Sequence, residues 1–347
     1  MKKKRILYLF SDTGGGHRAA AKALTNAVER VRGRIQVEQS MVDAFAECSG
    51  FLNIFARLYG PMVRYSPALW GKIFYWWNDA KKLERLEKIA RPFIQRELAN
   101  YFRKKNPDVV VSVHPMINHL AAQALKGIKK KIPLITVVMD PVSVHRAWFC
   151  PDVDLVIVAT DRAKDFAIKD NIPKKKIKAC GIPIDPRFLD KTKAKKMLRK
   201  EMGLDPNLFT VLIMGGGEGG GNIYNIIRTI NKTKHPIQLI VIAGRNNDLK
   251  QRLIAEQSLG KLKLPMKVFG FTEEVPKIMS ASDLLISKAG PGAIYEAMAK
   301  NLPIIVTSWL PGQEEGNVRF VLEHKIGDVA KNPKKILPLI SKYLKPS

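Results

Sequence analysis

The sequence is poor in cysteine, poor in acidic residues and without any long apolar run. Its three cysteines, Cys48, Cys150 and Cys180, are widely spaced and form no Cys-x-x-Cys pair. This spacing excludes a disulfide framework and the usual zinc motifs, and it suits a reducing compartment. No stretch approaches the roughly 18 apolar residues of a membrane span. The apolar run Ile6–Phe10 ends at Ser11, which predicts a buried strand rather than a signal peptide.

The scarcity of acidic residues gives the chain a large positive charge. It has 59 Lys and Arg against 31 Asp and Glu, a formal net charge of +28. Residues 1–190 carry +16 and residues 191–347 carry +12, so the excess is not a basic tail. Such a field attracts nucleic acid, anionic lipid or phosphorylated substrates, unless the lysines serve only solubility. Because no helix-turn-helix, RNA-recognition or zinc signature is found, we expect no nucleic-acid partner.

Apolar strand-like runs alternate with helix-like stretches along the whole chain. The runs Val109–Val113 and Leu134–Met139 are almost wholly apolar, which is typical of strands buried on both faces of a parallel sheet, and Phe209–Met214 predicts a further strand. The alternation predicts an α/β fold with two Rossmann-like domains facing across a cleft. A polar, Lys-rich stretch suggests a hinge between them. We therefore predict an N-terminal domain over residues 1–185, a linker over 186–205 and a C-terminal domain over 206–347.

Residues 51–102 differ from the rest because aromatic and basic side chains recur there at roughly helical spacing. Tryptophan flanked by lysine and arginine suits a membrane interface, where an apolar body and a polar tip both find partners. The alternative is a pair of helices that bury these aromatic residues in the core of the N-terminal domain. Trp70, Trp76 and Trp77 are the side chains that we expect at a membrane.

The first glycine motif, residues 11–18, reads Ser-Asp-Thr-Gly-Gly-Gly-His-Arg between a predicted strand and a predicted helix. Gly14, Gly15 and Gly16 allow backbone amides to face a ligand at the helix N-terminus. No Lys-Ser/Thr follows, so the motif is not a P-loop. His17 has the right chemistry to accept a proton from an attacking hydroxyl. The alternative is a histidine that only orients the loop.

The second motif, residues 214–222, reads Met-Gly-Gly-Gly-Glu-Gly-Gly-Gly-Asn and also lies between a predicted strand and a predicted helix. Gly215, Gly216 and Gly217 would let a phosphate or a sugar come close to the backbone. A tight strand-to-helix turn explains the same composition.

The third motif leads into another predicted helix and contains Gly290, Pro291, Gly292 and Ala293. The backbone amides of Gly292 and Ala293 are placed to bind a diphosphate. Glu296 follows about one turn into the helix, and its carboxylate can accept two hydrogen bonds from the vicinal hydroxyls of a ribose. Read alone, Glu296 is also explained as a solvated helix carboxylate.

A polar loop of sequence Pro-Gly-Gln-Glu-Glu-Gly-Asn, residues 311–317, follows the next predicted strand. Gln313, Glu314 and Asn317 supply amide and carboxylate groups suited to the hydroxyls of a sugar. Together with the preceding diphosphate and ribose motif, the loop predicts a nucleotide-sugar site and hence a glycosyltransferase.

These motifs resemble those of monogalactosyldiacylglycerol synthases and processive diacylglycerol glucosyltransferases, which are related to the lipid II N-acetylglucosaminyltransferase. The resemblance covers nearly the whole chain and rests on five segments. Those segments are residues 11–20, residues 112–119 (Ser-Val-His-Pro-Met-Ile-Asn-His), residues 144–149 (Val-His-Arg-Ala-Trp-Phe), residues 288–292 with Glu296, and residues 311–317.

The resemblance implies a GT-B fold with a UDP-sugar donor held mostly by the C-terminal domain. The acceptor would be a diacylglycerol, reached by peripheral attachment to an anionic membrane surface from the cytoplasmic side. The reaction would invert the anomeric centre to give a β-glycoside, with no cofactor and no catalytic metal. GT-B proteins commonly end with helices that return to the N-terminal domain, and the last apolar stretch, Leu337–Leu344, predicts a short or absent return here.

The same resemblance places functional roles on individual residues. The candidate base is His17. Apart from the resemblance, we expect Asp140 or His114 as a reserve base or as the group that orients it, because these motifs end strands at the same predicted cleft. His145, Arg146 and Trp148 would belong to the acceptor side. The expected donor contacts are Gly270 and Phe271 for uracil, Glu296 for ribose, and Gln313 and Glu314 for the sugar.

The predicted function is therefore transfer of glucose or galactose from a UDP-sugar to 1,2-diacylglycerol. One alternative is transfer of N-acetylglucosamine to a polyprenyl-diphosphate acceptor. A second is a UDP-sugar epimerase or hydrolase on the same fold, although a soluble substrate needs no aromatic and basic surface. A third, without enzymatic activity, is a basic nucleic-acid-binding protein.

Overall fold

A computed structural model describes residues 3–13, 15–48, 50–217 and 219–344. The chain divides into two compact units. The first comprises Met1–Pro186 and Leu310–Gly316, and the second comprises Arg187–Trp309 and Asn317–Ser347. The short segment 310–316 thus packs with the first unit, although the sequence analysis assigned all of 206–347 to a C-terminal domain.

The first unit is built on a parallel sheet of six strands. The strands are β1 (Lys4–Phe10), β2 (Val37–Asp43), β3 (Val109–Ser112), β4 (Leu134–Val137), β5 (Leu155–Val158) and β6 (Ile177–Ala179). They are arranged in the order β2-β1-β3-β4-β5-β6. The central strands carry the apolar runs seen in the sequence, and their side chains are buried on both faces of the sheet.

Seven α-helices belong to this unit among the described residues. They are α1 (Gly16–Val31), α2 (Ala44–Cys48), α3 (Gly50–Tyr65), α4 (Pro67–Trp77), α5 (Ala80–Lys105), α6 (Asn118–Lys126) and α7 (Asp161–Lys169). The helical character predicted for the aromatic and basic segment is confirmed, because α3, α4 and most of α5 cover it. In the part of the chain that the structure describes, no helix has the length and apolar character needed to cross a bilayer.

The second unit repeats the parallel six-stranded design. Its strands are β7 (Phe209–Met214), β8 (Ile237–Ile242), β9 (Met266–Phe269), β10 (Leu284–Lys288), β11 (Ile304–Ser308) and β12 (Gly327–Val329), in the order β12-β11-β10-β7-β8-β9. Its helices are α8 (Lys195–Glu201), α9 (Ile223–Ile230), α10 (Asn247–Ser258), α11 (Val275–Ala281), α12 (Pro291–Ala299), α13 (Glu315–Glu323) and α14 (Ile336–Leu344). The first two residues of α13 lie in the first unit by the division above.

Each sheet contains a point where the order of its strands reverses. In the first unit the chain runs from β1 outward to β2 and then returns to β3 on the other side of β1. In the second unit it runs from β7 through β8 to β9 and returns to β10 beside β7. Open α/β sheets bind ligands at the carboxyl ends of the strands at such a switch point. The loops after β1 and β3, and those after β7 and β10, are therefore candidate ligand-binding loops.

Candidate functional site

His17 lies in the first turn of α1, at the switch point of the first unit. Its Nδ1 lies 2.6 Å from the backbone carbonyl oxygen of Val113, just beyond β3. A carbonyl oxygen can only accept a hydrogen bond, so Nδ1 carries the proton and Nε2 keeps its lone pair. Burial lowers the pKa of His17 to about 4, although the bond to Val113 acts in the opposite direction. The side chain is therefore a neutral imidazole with an unprotonated Nε2 at neutral pH.

His114 lies beside His17, with the two ring centroids 4.6 Å apart. Its Nε2 is 3.2 Å from the hydroxyl oxygen of Thr13, in the loop after β1. Burial, followed by the proximity of His17, lowers the pKa of His114 well below its usual value. Its Nδ1 is buried and has no hydrogen-bond partner among the residues described. The structure thus brings the two histidines together at the carboxyl ends of adjacent strands.

Asp140 follows β4 and is held by Trp148. The indole Nε1 of Trp148 donates a hydrogen bond of 2.6 Å to Oδ2 of Asp140. The Trp148 ring also lies 6.0 Å from the His17 ring, measured between centroids. Burial raises the pKa of Asp140 to about 7, and the negative charge of Glu314 adds to this, whereas the bond from Trp148 opposes it. His17, His114 and Asp140, the three catalytic candidates of the sequence, therefore lie in one cluster.

The raised pKa of Asp140 predicts a pH-dependent cost of burying its charge. A carboxyl group whose pKa is higher in the folded state stabilises the protein most at low pH, and this contribution is lost as pH rises through the folded pKa. We expect Asp140→Asn to gain stability over the wild type progressively from about pH 4 to about pH 7, by on the order of 1–3 kcal/mol. Urea denaturation of both proteins at several pH values measures the difference.

Asp108 provides the matched control for this experiment. A hydrogen bond from Lys130, then one from the Arg5 amide, lowers the pKa of Asp108 to about 2. Its contribution to stability is present above the unfolded pKa and is lost as pH falls towards 2. Asp108→Asn should therefore show no pH-dependent gain between pH 4 and pH 7. An Asp140→Asn stability difference that stays constant over that range would contradict the assignment.

Three residues assigned to the acceptor side occupy different environments. Trp148 is fully buried, and His145 is buried with both ring nitrogens bonded to the backbone: Nδ1 accepts from the Ala147 amide and Nε2 donates to Phe74. Both side chains lie in the interior of the first unit, and their assignment to the acceptor side stays a prediction. Arg146 remains exposed and pairs with Asp170 at 3.1 Å.

The glycines of the first motif shape the turn from β1 into α1. Gly15 has φ of 80°, in the left-handed region that glycine adopts without strain. Gly16 is the first residue of α1, and neither glycine has a neighbour that a side chain would meet within 4 Å. Gly14 lies outside the described residues. The open space around this turn is compatible with a ligand at the start of α1.

The tryptophans of the aromatic and basic segment are divided between packing and exposure. Trp70 packs edge-on against Tyr59, with ring centroids 4.9 Å apart. Trp76 is 55% exposed, and the Lys82 ammonium lies 4.6 Å from its ring centroid. Trp77 is half-buried and, with Trp76, borders a shallow apolar concavity. The packing of Trp70 fits the interpretation of a helix pair that buries its aromatic residues, and membrane contact through the exposed Trp76 stays a prediction.

Exposed apolar side chains continue along α3 and α4. Ile54, Leu58 and Tyr65 follow one another on α3 at intervals of four and seven residues, which places them on one side of the helix. Leu69 and Tyr75 are exposed on α4. We call these five residues and Trp76 the apolar rim. A group of large apolar side chains left in contact with water is a typical feature of a surface that binds a membrane or a partner.

In the second unit, the glycine loop after β7 is bordered by two cations. The amide of Arg245 donates to the carbonyl of Gly217 at 2.8 Å, which joins the loop after β8 to the glycine loop. Lys288, the last residue of β10, lies on the other side of the glycine loop. Its Cε is 3.4 Å from the position that a Cβ on Gly216 would occupy. Gly215 is buried within this turn. Two positive side chains on either side of a glycine loop form a site suited to a diphosphate.

The helix α12 begins one residue after Gly290 and has Pro291 at its first position, a residue that suits a helix start. The first-turn amides of Gly292 and Ala293 have no partner within the helix, which is general for helix N-termini. No atom lies within 4 Å of where a side chain on Gly292 would point. Glu296 is half-buried one turn further along α12. The helix thus begins where the motif predicts it, and the binding of a diphosphate and a ribose there stays a prediction.

An aromatic side chain lies at the carboxyl end of β9. Phe271 is 60% exposed, and the guanidinium of Arg245 lies 5.2 Å from its ring centroid. Gly270 precedes it beside the loop that contains Gly244. An exposed aromatic ring next to a cation is suited to stacking a planar base such as uracil. Arg245 and Lys288 are thus functional candidates that the sequence analysis did not single out.

The residues of the predicted sugar loop are mostly buried. Glu314 accepts a hydrogen bond of 2.9 Å from the Leu310 amide, within the segment that packs with the first unit. The side-chain oxygen of Gln313 is buried and finds no partner in the described part of the chain. In the second unit, Asn317 donates 2.9 Å to the carbonyl of Ala289, just before α12, and its own side-chain oxygen likewise has no described partner. Buried polar oxygens without partners are places where a ligand hydroxyl would be favourable.

A metal site would need several convergent ligands. Among the residues that the structure describes, no group of three histidine, cysteine, aspartate or glutamate side chains lies close enough to hold an ion.

Comparison with known proteins finds relatives of both parts of the chain. The family model for monogalactosyldiacylglycerol synthase matches residues 17–184, and the model for the glycosyltransferase family 28 C-terminal domain matches residues 210–321. A monogalactosyldiacylglycerol synthase of Spinacia oleracea is 36% identical over 354 residues, covering 99% of this chain. This chain spans 66% of the length of that spinach protein.

Comparison with solved structures finds proteins of similar fold. The crystal structure of Acinetobacter baumannii MurG matches with a TM-score of 0.60 at 14% identity, covering 99% of this chain and 91% of the other. At that identity the likeness concerns the fold alone, which is the two-domain α/β fold termed GT-B.

Membership of a family rests on the sequence relatives. Monogalactosyldiacylglycerol synthase 3 of Arabidopsis thaliana is 35% identical over 357 residues, and the alignment covers 98% of this chain and 74% of the relative. With the matching family model over the first unit, this extent of identity shows that the chain belongs to the monogalactosyldiacylglycerol synthase family.

Proposed function

We propose that this protein is a glycosyltransferase that moves a hexose from a UDP-sugar to the hydroxyl of 1,2-diacylglycerol. The observation that carries the proposal is the fixed tautomer of His17. Its bond to Val113 leaves Nε2 unprotonated at the switch point of the first unit, as a proton acceptor needs to be. Family membership supports the same activity. The relatives are named for galactose transfer, so UDP-galactose is the first donor to test and UDP-glucose the second.

In the proposed reaction, Nε2 of His17 takes the proton of the diacylglycerol hydroxyl as that oxygen forms a bond to C1 of the hexose. The bond between C1 and the diphosphate oxygen breaks, and its electron pair leaves with UDP. Attack from the opposite side inverts C1 and gives a β-glycoside. The proton then passes from His17 to solvent. His114 and Asp140 are proposed to orient and support this base.

Negative charge develops on the departing UDP, and the second unit is proposed to stabilise it. The amides at the start of α12 and the side chains of Lys288 and Arg245 would supply positive potential without a metal. Phe271 would stack on uracil and Glu296 would hold the ribose. Gln313 and Glu314 are proposed to bind the hexose hydroxyls.

A donor and acceptor screen tests the proposal. The purified protein is mixed with diacylglycerol vesicles and UDP-galactose, UDP-glucose or UDP-N-acetylglucosamine, and the lipids are analysed by mass spectrometry. We expect a hexosyl-diacylglycerol whose formation is insensitive to EDTA. Transfer of N-acetylglucosamine to an added polyprenyl-diphosphate acceptor, with none to diacylglycerol, would favour the alternative enzyme.

We also propose that the protein works at the cytoplasmic face of the cell membrane, with the apolar rim of α3 and α4 as its contact. Large apolar side chains would enter the lipid boundary, and the overall charge of +28 would favour anionic headgroups. Such attraction weakens as salt screens the charges.

Leu69→Ala tests the rim, because burial of each CH₂ is worth about 0.8 kcal/mol. We expect it to weaken binding to vesicles that contain anionic lipid by about fivefold, and Trp76→Ala to weaken it by about tenfold. Vesicle sedimentation at low and high salt provides the measurement.

Leu259→Ala is the matched control, since Leu259 is another exposed leucine but lies in the second unit. Its binding should equal that of the wild type. Equal losses for Leu69→Ala and Leu259→Ala would show that the rim has no special role.

A further inference from the structure

The segment 310–316, which contains the proposed hexose-binding residues, lies against α4. A Cβ on Gly71 of α4 would lie 2.8 Å from Cβ of Pro311, so the helix backbone and the segment touch closely. Gly312 has φ of 77°, and a Cβ there would lie 2.7 Å from Cδ1 of Phe74 and 3.2 Å from Cε2 of Tyr75. Only glycine fits at both positions without displacing a neighbour. The shape of the segment is thus matched to the aromatic face of α4.

The other side of the segment is also packed. A side chain on Gly316 would collide with Ser143, and its Cβ would lie 2.9 Å from Cβ of Val142. Val142 and Ser143 lie two and three residues after Asp140, whose carboxyl group is close enough to Glu314 for the two charges to interact. The segment is therefore held between α4 and the loop of Asp140, all within the first unit.

One polar contact joins α4 to this segment. The hydroxyl of Tyr75 donates a hydrogen bond of 2.8 Å to the carboxylate of Glu315. Glu315 adjoins Glu314 and is two residues from Gln313. A shift of Glu315 would therefore move the backbone of both of these residues. A hydrogen bond to a charged acceptor is among the stronger kinds.

We propose that Tyr75, through its hydrogen bond to Glu315, is a positioning residue that holds Gln313 and Glu314 in place for the hexose of the donor. The inference rests on the proposed function, because it assumes that this segment binds the sugar. Under this proposal α4 has two roles: it contributes to the apolar rim together with α3, and it positions the residues that bind the sugar. The uracil and diphosphate of the donor are bound elsewhere under the proposal, so Tyr75 should affect only the sugar part.

Tyr75→Phe removes the hydroxyl and keeps the ring. We expect the Kd for UDP-galactose or UDP-glucose, whichever the wild type uses, to rise by about fivefold, with the Kd for UDP unchanged. Calorimetric titration without any acceptor measures both constants. A higher Kd for the UDP-hexose with an unchanged Kd for UDP would show a positioning role. A general loss of structure would raise the Kd for UDP as well.

Two further measurements make the test specific. Glu315→Gln should give a similar pattern, and the double variant should be no worse than either single one, because both remove the same contact. Hydrogen exchange at the backbone amides of 310–316 should quicken in Tyr75→Phe, whether or not a donor is present. Tyr343→Phe is the control, since it removes a tyrosine–carboxylate hydrogen bond to Asp328 in the second unit.

The outcomes distinguish this inference from the function on which it rests. If the wild type transfers hexose and Tyr75→Phe binds UDP-hexose as tightly as the wild type, the positioning role is wrong. Unchanged exchange at 310–316 would also overturn it. If the wild type binds UDP but neither binds nor transfers a hexose, the proposed function fails and this inference fails with it.

Discussion

Replacing His17 with alanine is expected to lower kcat for hexose transfer by roughly 10²- to 10⁴-fold, the usual contribution of a general base. The reason is geometric as well as chemical. The carbonyl of Val113 fixes the proton on Nδ1, so the lone pair of Nε2 is the only one that the ring can offer. His114 is a poor substitute, because it is buried with its Nε2 next to Thr13.

The His17→Ala experiment needs a histidine control and a binding control. His235→Ala changes a histidine of the second unit that bonds to Ser341, and it should retain wild-type kcat. The Kd for UDP should be the same in all three proteins, since the proposed donor contacts do not include His17. Wild-type turnover in His17→Ala would remove it from the mechanism.

The second large effect is expected at Lys288. Lys288→Met keeps an extended side chain and removes the positive charge beside Gly216. Loss of one group that stabilises developing charge typically lowers kcat by 10²- to 10³-fold. We expect a decrease of that order, together with weaker UDP binding because the diphosphate loses a charged partner. Steady-state kinetics and calorimetry with UDP give the two values.

Lys232→Met is the matched control for Lys288→Met. Lys232 is an exposed lysine between α9 and β8, and it therefore lies towards the amino-terminal edge of the same sheet. Both variants remove one positive charge from the second unit. Equal, small effects would mean that general charge, rather than a diphosphate site after β10, is what Lys288 provides.

The strands of the fold could be predicted where burial leaves a clear pattern. Phe209–Met214 is predicted with the bounds that the structure gives it, and Val109–Val113 to within one residue, because both runs are almost wholly apolar. The edge strands β6 and β12 were not predicted. Each has only three residues, and β12 contains Gly327 and Asp328, so no apolar run distinguishes either from a loop.

The candidate site could be predicted where a motif follows a strand. His17, His114 and Asp140 each come after a strand of the first sheet, and parallel strands bring such residues to one edge. What could not be predicted depends on which strands are neighbours. Arg245 reaches the glycine loop because β8 pairs with β7, and Lys288 does so because β10 pairs with the other side of β7.

The packing of residues 310–316 could not be predicted from the sequence either. Its sequence indicates polar chemistry suited to a sugar, but its place in the first unit depends on two close approaches, Gly71 to Pro311 and Gly312 to Phe74. Likewise, the pattern around Trp148 could not distinguish an exposed tryptophan from the buried one that bonds to Asp140. Such contacts arise from tertiary packing and leave no local pattern.

The most direct test of the proposed transfer counts its two products together. The protein is incubated with diacylglycerol vesicles and UDP-galactose or UDP-glucose labelled in the hexose, and both released UDP and label in the lipid phase are measured. We predict one lipid-borne hexose for each UDP formed with at least one of the donors, and no label in lipid when diacylglycerol is omitted. Release of UDP from both donors without labelled lipid, or no turnover of either donor with diacylglycerol present, would contradict the account.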